Sequence, residues 1–441
     1  MRVTTLATIF ASLILFPSSV LASIDQEQAE SVFRQAHTIC ARDAGSLWGR
    51  SLCGPMLLVD PDDRTLAANQ RDTGGGLKRS GNIFVGVLPD SVPISDTTVT
   101  WSGTRWCELI WPWPMREDDD MRHVTLAHEL FHRIQAEELH IKKLEGNNAQ
   151  LDTLEGRYLM LLEWRALAAA LEARTHAARR TAVTDAILFR RERYRLFPNA
   201  ADNETALESS EGIAEYTGVR LGLRTSAERT RYALRDLSAY VDVPSLVRSF
   251  AYATGPAYGL LLDDADRDWR RKFAADQLAK RFDQRLGNAL HIADPDLGRL
   301  NERVAVYDKD RSLRAREVAR DQKQEAERTS YRVRLSEDPV LTLPLEKYTY
   351  QFKPQSLVPL ENLGTVYPTM KLQDAWGELS VENGGVLIRK QPRSASVPVA
   401  GFDPVTLQGN GFTLRLNPGW GIKPGIRSGD LTVVQTSASS D

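Results

Sequence analysis

The chain has 441 residues, of which 42% are hydrophobic and 26% charged, and 56 basic against 58 acidic side chains leave a formal net charge of −2. That balance excludes a generally basic nucleic-acid binder and a charge-driven disordered chain, while 29 Gly and 21 Pro exclude collagen-like and low-complexity sequence. The length exceeds the size at which a single hydrophobic core keeps growing, so two or three folding units are expected.

At the N-terminus, Met1-Arg2, an apolar stretch over 3–16 and Val20-Leu21-Ala22 before Ser23 form a secretory signal pattern with cleavage expected after Ala22. The apolar run is shorter than the ~20 residues of a spanning helix. A soluble mature protein, secreted or in a bacterial periplasm, is the expectation, and export puts its three cysteines where disulfides persist. Cys40 and Cys53 are close enough in sequence to pair, which would leave Cys107 over; a Cys53–Cys107 bridge and three free thiols stay open.

Residues 24–40 read as an amphipathic helix. Between 56 and 113 the texture is short and β-rich, with runs at 56–59, 66–69, 83–88 and 97–113 separated by turn residues, as in a small sheet of hairpins. From 114 to about 328 it is helical, ending in a stretch over 301–328 so rich in charge that it reads as a solvated connecting helix. After residue 329 alternating runs at 331–335, 348–352, 377–381, 385–389, 412–416 and 431–436 predict a separate β-rich domain over 329–441. The expected class is α+β: residues 23–113 mostly strand and 114–328 mostly helix in one domain, followed by the accessory β domain. The basic run Arg190–Arg195, interrupted by Glu192, reads as a solvated helix face rather than a nucleic-acid site.

One motif carries chemistry: His128-Glu129-Leu130-Phe131-His132. Four residues apart on a helix, both imidazoles lie on one face and can reach one cation while Glu129 stands beside it. A match of this kind is expected only about 0.01 times by chance in such a chain. Glu117-Asp118-Asp119-Asp120 supplies negative charge and a cap at the helix start, and Val124, Ala127, Leu130, Phe131 and Ile134 supply apolar faces. His123 and His140 read as bystanders. Two histidines need a third protein ligand, with the fourth position left for water. Glu204, Glu208, Glu211 and Glu215 form a carboxylate stripe at helical spacing. Gly212 within it costs about 1 kcal/mol relative to Ala, a cost understandable if another backbone passes close, here expected to be that of the histidine helix. Glu211 is therefore the favoured ligand, with Glu215 orienting a ligating histidine through its second nitrogen. Glu163, set in an apolar run and expected to find a partner in Arg157 or Arg165, is a rival, as are Asp152 and Glu155.

With Glu211-Gly212-Ile213-Ala214-Glu215-Tyr216 following the first motif, the chain resembles the gluzincin metallopeptidases, chiefly over residues 97–263. The resemblance implies zinc on His128, His132 and Glu211, with Glu129 as general base and peptide-bond hydrolysis as the reaction. It also implies a tyrosine that supports the oxyanion, for which Tyr258 is the candidate and Tyr252 and Tyr216 the runners-up, and an exposed strand in the 97–111 hairpin that receives extended peptide. Glu211 lies 79 residues after His132, beyond the family's usual separation, so residues 145–200 would fold out as an insertion. The alternative is a non-catalytic scaffold that binds an envelope partner through its β domain.

Overall fold

The computed structural model describes residues 24–112, 118–277, 281–352 and 357–436. The expected cleavage site after Ala22, Trp113 and Pro114 lie outside the described residues. The chain is mixed α and β, with a helical region and separate C-terminal sheets. It divides into two compact units, one built from residues up to Asn148, Glu163–Val241 and Arg248–Leu297, the other from Ala149–Leu162, Asp242–Val247 and Gly298–Asp441.

The first unit opens with α1 (Gln26–Asp43), capped by Asp25, whose carboxylate accepts the Gln28 N–H at 3.0 Å. Its buried Ala29, Val32, Phe33, Ala36, Ile39 and Cys40 recur at helical spacing. A disulfide joins Cys40 to Cys53, and Cys107 is free and buried. The strands β1 (Met56–Val59), β2 (Thr65–Ala68), β3 (Lys78–Ser80), β4 (Ile83–Val87), β5 (Thr97–Trp101) and β6 (Thr104–Ile110) make one six-stranded sheet in the order β3-β4-β2-β1-β6-β5. The sheet is more than a row of hairpins, because the neighbouring interior strands β1 and β6 pair in parallel. The 97–113 run is two strands turned at Ser102-Gly103, and β5 forms one edge.

Then come α2 (Asp119–Gln135), α3 (Leu154–Glu172), α4 (His176–Leu196) and α5 (Ala200–Leu207), a π-helical turn over Glu208–Gly212, α6 (Ile213–Gly222), α7 (Ser226–Ala239), α8 (Phe250–Ala265), α9 (Trp269–Ala275) and α10 (Phe282–Ala289). Two glycine contacts set the crossings. A Cβ on Gly218 would stand 2.6 Å from the Val124 carbonyl oxygen, and one on Gly222 2.7 Å from the His123 backbone, so α6 lies directly on α2. Gly255 of α8 packs in the same way on the Gly212 backbone. The backbone that passes Gly212 is thus that of α8, not that of the histidine helix as expected, and the close approach to α2 is made by Gly218 and Gly222.

In the second unit, α11 (Leu300–Tyr307) and α12 (Ser312–Arg332) are largely exposed, but Glu317 is buried and pairs with Arg157 at 3.2 Å. The strand expected at 331–335 is absent: α12 continues into a π-helical turn over Val333–Glu337, and Tyr331 and Leu335, four apart, share one buried cluster with Leu360, Val366 and Leu387. Two sheets follow, of seven and five strands. Leu341, Leu343, Leu372, Trp376, Leu379 and Leu414 are among the residues of their common core.

Candidate metal centre

Asp118 caps α2 by accepting the Met121 N–H at 2.8 Å, and Asp119 and Asp120 place negative charge at the positive end of its dipole. Burial of Val124, Ala127, Phe131 and Ile134 turns the same face inward. His128 and His132 follow it and are each 3% exposed. Their Nε2 atoms stand 3.0 Å apart. From the π-helical turn, Glu211 brings Oε2 to 3.4 Å from His132 Nε2 and 3.6 Å from His128 Nε2.

The other ring nitrogens are engaged. His128 Nδ1 lies 2.7 Å from Glu215 Oε2, and His132 Nδ1 lies 2.6 Å from Gln135 Oε1. The Gln135 amide nitrogen donates to the Ser210 carbonyl at 3.2 Å, which turns its oxygen toward the ring. Both Nδ1 atoms therefore carry the proton, and both Nε2 lone pairs point at one another and at a carboxylate. Three electron-rich atoms at such distances repel unless a positive charge lies among them. Their electrostatics carry the same demand. Burial lowers the His128 pKa, but hydrogen bonds to Glu211 and Glu215 and the charge of Glu129 outweigh it and push it up to about 10. Burial raises the Glu211 carboxyl, yet the two imidazoles hold it well below the carboxylate range.

A proton or a metal ion can supply that charge. The point equidistant from the three atoms lies about 1.9 Å from each, close to the zinc–nitrogen distance of about 2.0–2.1 Å. Ligand atoms of the buried group His128, Glu129 and His132 also lie within 4.8 Å of one another. These residues fit a small divalent cation. Glu129 is the more distant carboxylate on this side, with Oε1 3.8 Å from His128 Nε2 and Oε2 buried without a hydrogen-bond partner. The Tyr252 hydroxyl donates to Glu211 Oε2 at 3.0 Å while its ring stacks on His128, centroids 5.7 Å apart. Burial, then the charge of Glu211, pushes the Tyr252 pKa up, so the hydroxyl keeps its proton.

Other candidates are placed elsewhere. Tyr258 is fully buried and donates to Glu163 Oε1 at 2.8 Å with Arg190 over its ring, so its hydroxyl is committed away from the histidines. Tyr216 donates to Asp263 at 2.7 Å. Glu163 pairs with Arg190 and Arg193, each at 2.7 Å, rather than with Arg157 or Arg165. Asp152 accepts from Ser245 and the Leu246 N–H, and Glu155 pairs with Arg314. The expected solvated face of the 190–195 run is a correction in part. Arg190 and Arg193 are fully buried and hold Glu208 and Glu204, whereas Arg195 points out. The glutamate stripe consequently divides: Glu204 and Glu208 serve the arginines, Glu211 and Glu215 the histidines. Gln135 is the site residue the motif did not reveal, although its position three after His132 on one helix is the spacing that permits the contact.

No protein-family model, curated protein or solved structure matches the chain.

Proposed function

We propose that this protein is an exported zinc-dependent metallopeptidase, with His128, His132 and Glu211 as ligands and Glu129 as general base. One observation carries the reading: Glu211 Oε2 stands within 3.6 Å of both Nε2 atoms while both Nδ1 atoms are engaged by Glu215 and Gln135. Two imidazoles and one carboxylate, three protein ligands rather than four, are the donor set of catalytic zinc rather than of a closed structural site. Bound zinc supplies Lewis acidity toward a water and a carbonyl oxygen.

The chain's own groups do the rest. Glu129 Oε2, buried and without another partner, accepts the proton of the attacking water and returns it to the leaving nitrogen. Glu215 and Gln135 hold the imidazoles in the tautomer that leaves Nε2 free. Tyr252, in place of Tyr258, offers a protonated hydroxyl beside the ligand set where negative charge develops on the carbonyl oxygen. The edge strand β5, beside α2, suits an extended peptide added to the sheet. Export follows from the signal pattern, and no helix among the described residues is long and apolar enough to cross a membrane.

Metal analysis of purified protein together with cleavage of a peptide library tests the reading. The wild type is expected to hold one zinc and cleave. Glu129→Gln keeps the metal and loses about 10²–10⁴ in rate, and Glu211→Gln loses the metal. Zinc retained with no cleavage sensitive to Glu129 would leave the non-catalytic scaffold, with an envelope partner on the β domain, as the better account.

A further inference from the structure

A cavity of about 450 Å³, lined by neither histidine nor Glu211, opens in the first unit between α4, α6, α7 and α8. Its polar lining is three arginines from three helices, Arg179, Arg220 and Arg229, the hydroxyls of Ser226 and Thr230, and the carboxylates of Asp263 and Asp264. Each guanidinium is anchored by part of its edge. Arg179 Nη1 donates to Asp264 at 3.0 Å, Arg220 Nε to Asp263 at 3.2 Å, and Arg229 to the Leu223 and Arg224 carbonyls at 3.0–3.3 Å.

The remaining donors have no partner among the described residues. Arg179 Nε is buried without a hydrogen bond. Asp263, the deeper of the two carboxylates, pairs with Arg220 but is shared with Tyr216, Trp269 and Arg270, and Asp264 pairs with Arg179, which leaves three cavity arginines against two carboxylates. Burial, then the neighbouring charge of Arg220, lowers the Arg229 pKa, and the charge of Asp263 offsets this only in part. Leu171, Leu260 and Leu261 supply the apolar part of the lining.

The geometry points to a binding site for a phosphate-type dianion carrying a small apolar body. Guanidinium groups held on one side and free on the other match the oxygens of such a group in a fork, with hydroxyls completing its shell. The volume exceeds what the charged head needs and lies in the usual range for small-ligand pockets. The site is independent of the metal centre and of any hydrolase activity.

Calorimetric titration of the full-length protein at constant ionic strength tests this, with inorganic phosphate and phenyl phosphate as probes and sodium chloride as the reference. Saturable binding of either probe is expected, tighter for phenyl phosphate if the leucines are engaged and equal if only the head is held. Arg229→Met and Arg179→Met are each expected to weaken it about tenfold or more. Arg271→Met, whose side chain is 76% exposed, is expected to change nothing. Circular dichroism confirms that each variant is folded, and either arginine variant suffices if the other is not. Absence of saturable binding, or equal binding in the folded Arg229 or Arg179 variant, overturns the assignment.

Discussion

Tyr252 and Glu108 show how the same side-chain chemistry is set by surroundings. With its ring on His128 and its hydroxyl on Glu211, Tyr252 touches the proposed ligand set without belonging to it. Tyr252→Phe is expected to lower kcat about a hundredfold with zinc content unchanged; an unaltered kcat would remove the hydroxyl from the chemistry. Glu108 is fully buried on β6. Burial pushes its pKa up to about 7 against the opposing hydrogen bond from the Ser95 N–H. A carboxyl raised in the fold stabilises fully below its unfolded value and loses that contribution as pH rises through about 7. Glu108→Gln should therefore unfold like the wild type at pH 4 but be more stable at pH 9, by up to about 3 kcal/mol. Denaturant melts at the two pH values measure the difference, and a constant difference would place its origin elsewhere. At this scale His128, Glu129 and His132 are legible because a spacing of four is local. Tyr252 and Tyr258 are not separable from sequence, because six residues apart on one helix they point to different neighbours.

Between elements, the decisive device is the π-helical turn that joins α5 to α6. The extra residue in such a turn resets the helical phase, which accompanies the division of the glutamates between the buried arginines and the histidines. Around it, Gln135 holds the Ser210 carbonyl, Gln277 holds Ser209, and Arg190 grips Glu208 with two nitrogens. The stripe in the sequence is regular and cannot show where its phase breaks. Gly218 is the matching device on the other side, admitting α2 to the face of α6. Gly218→Ala would push the helices apart at the Val124 carbonyl and carry Glu211 and Glu215 with α6. The expected outcome is a lower Tm together with zinc affinity reduced about tenfold or more, read by competition with a chromophoric chelator. A lower Tm with unchanged affinity would show that the crossing does not position the ligands.

Across the whole molecule, covalent and packing constraints meet near the same helix. The Cys40–Cys53 bridge closes a loop whose Trp48 lies against Phe131, beside His132, and bonds Thr217 of α6 at 3.1 Å. Replacing both cysteines by serine is expected to cost about 3 kcal/mol in denaturant unfolding. A thiol reagent should find no reactive group in the native protein and one, Cys107, after denaturation; burial, then Glu129, raises the pKa of that thiol well above its usual value. Two native equivalents would contradict the bridge. By itself the sequence determined the mixed class, the change to strand after the charged helix and the helix that carries two imidazoles, since these rest on composition and short-range periodicity. Only the tertiary structure decided which two glutamates among four meet those rings, that Arg190 and Arg193 are interior, and that residues 331–335 complete a helix. Each of these depends on which distant segment packs opposite, and a burial partner some 80 residues away leaves no periodic trace in the chain.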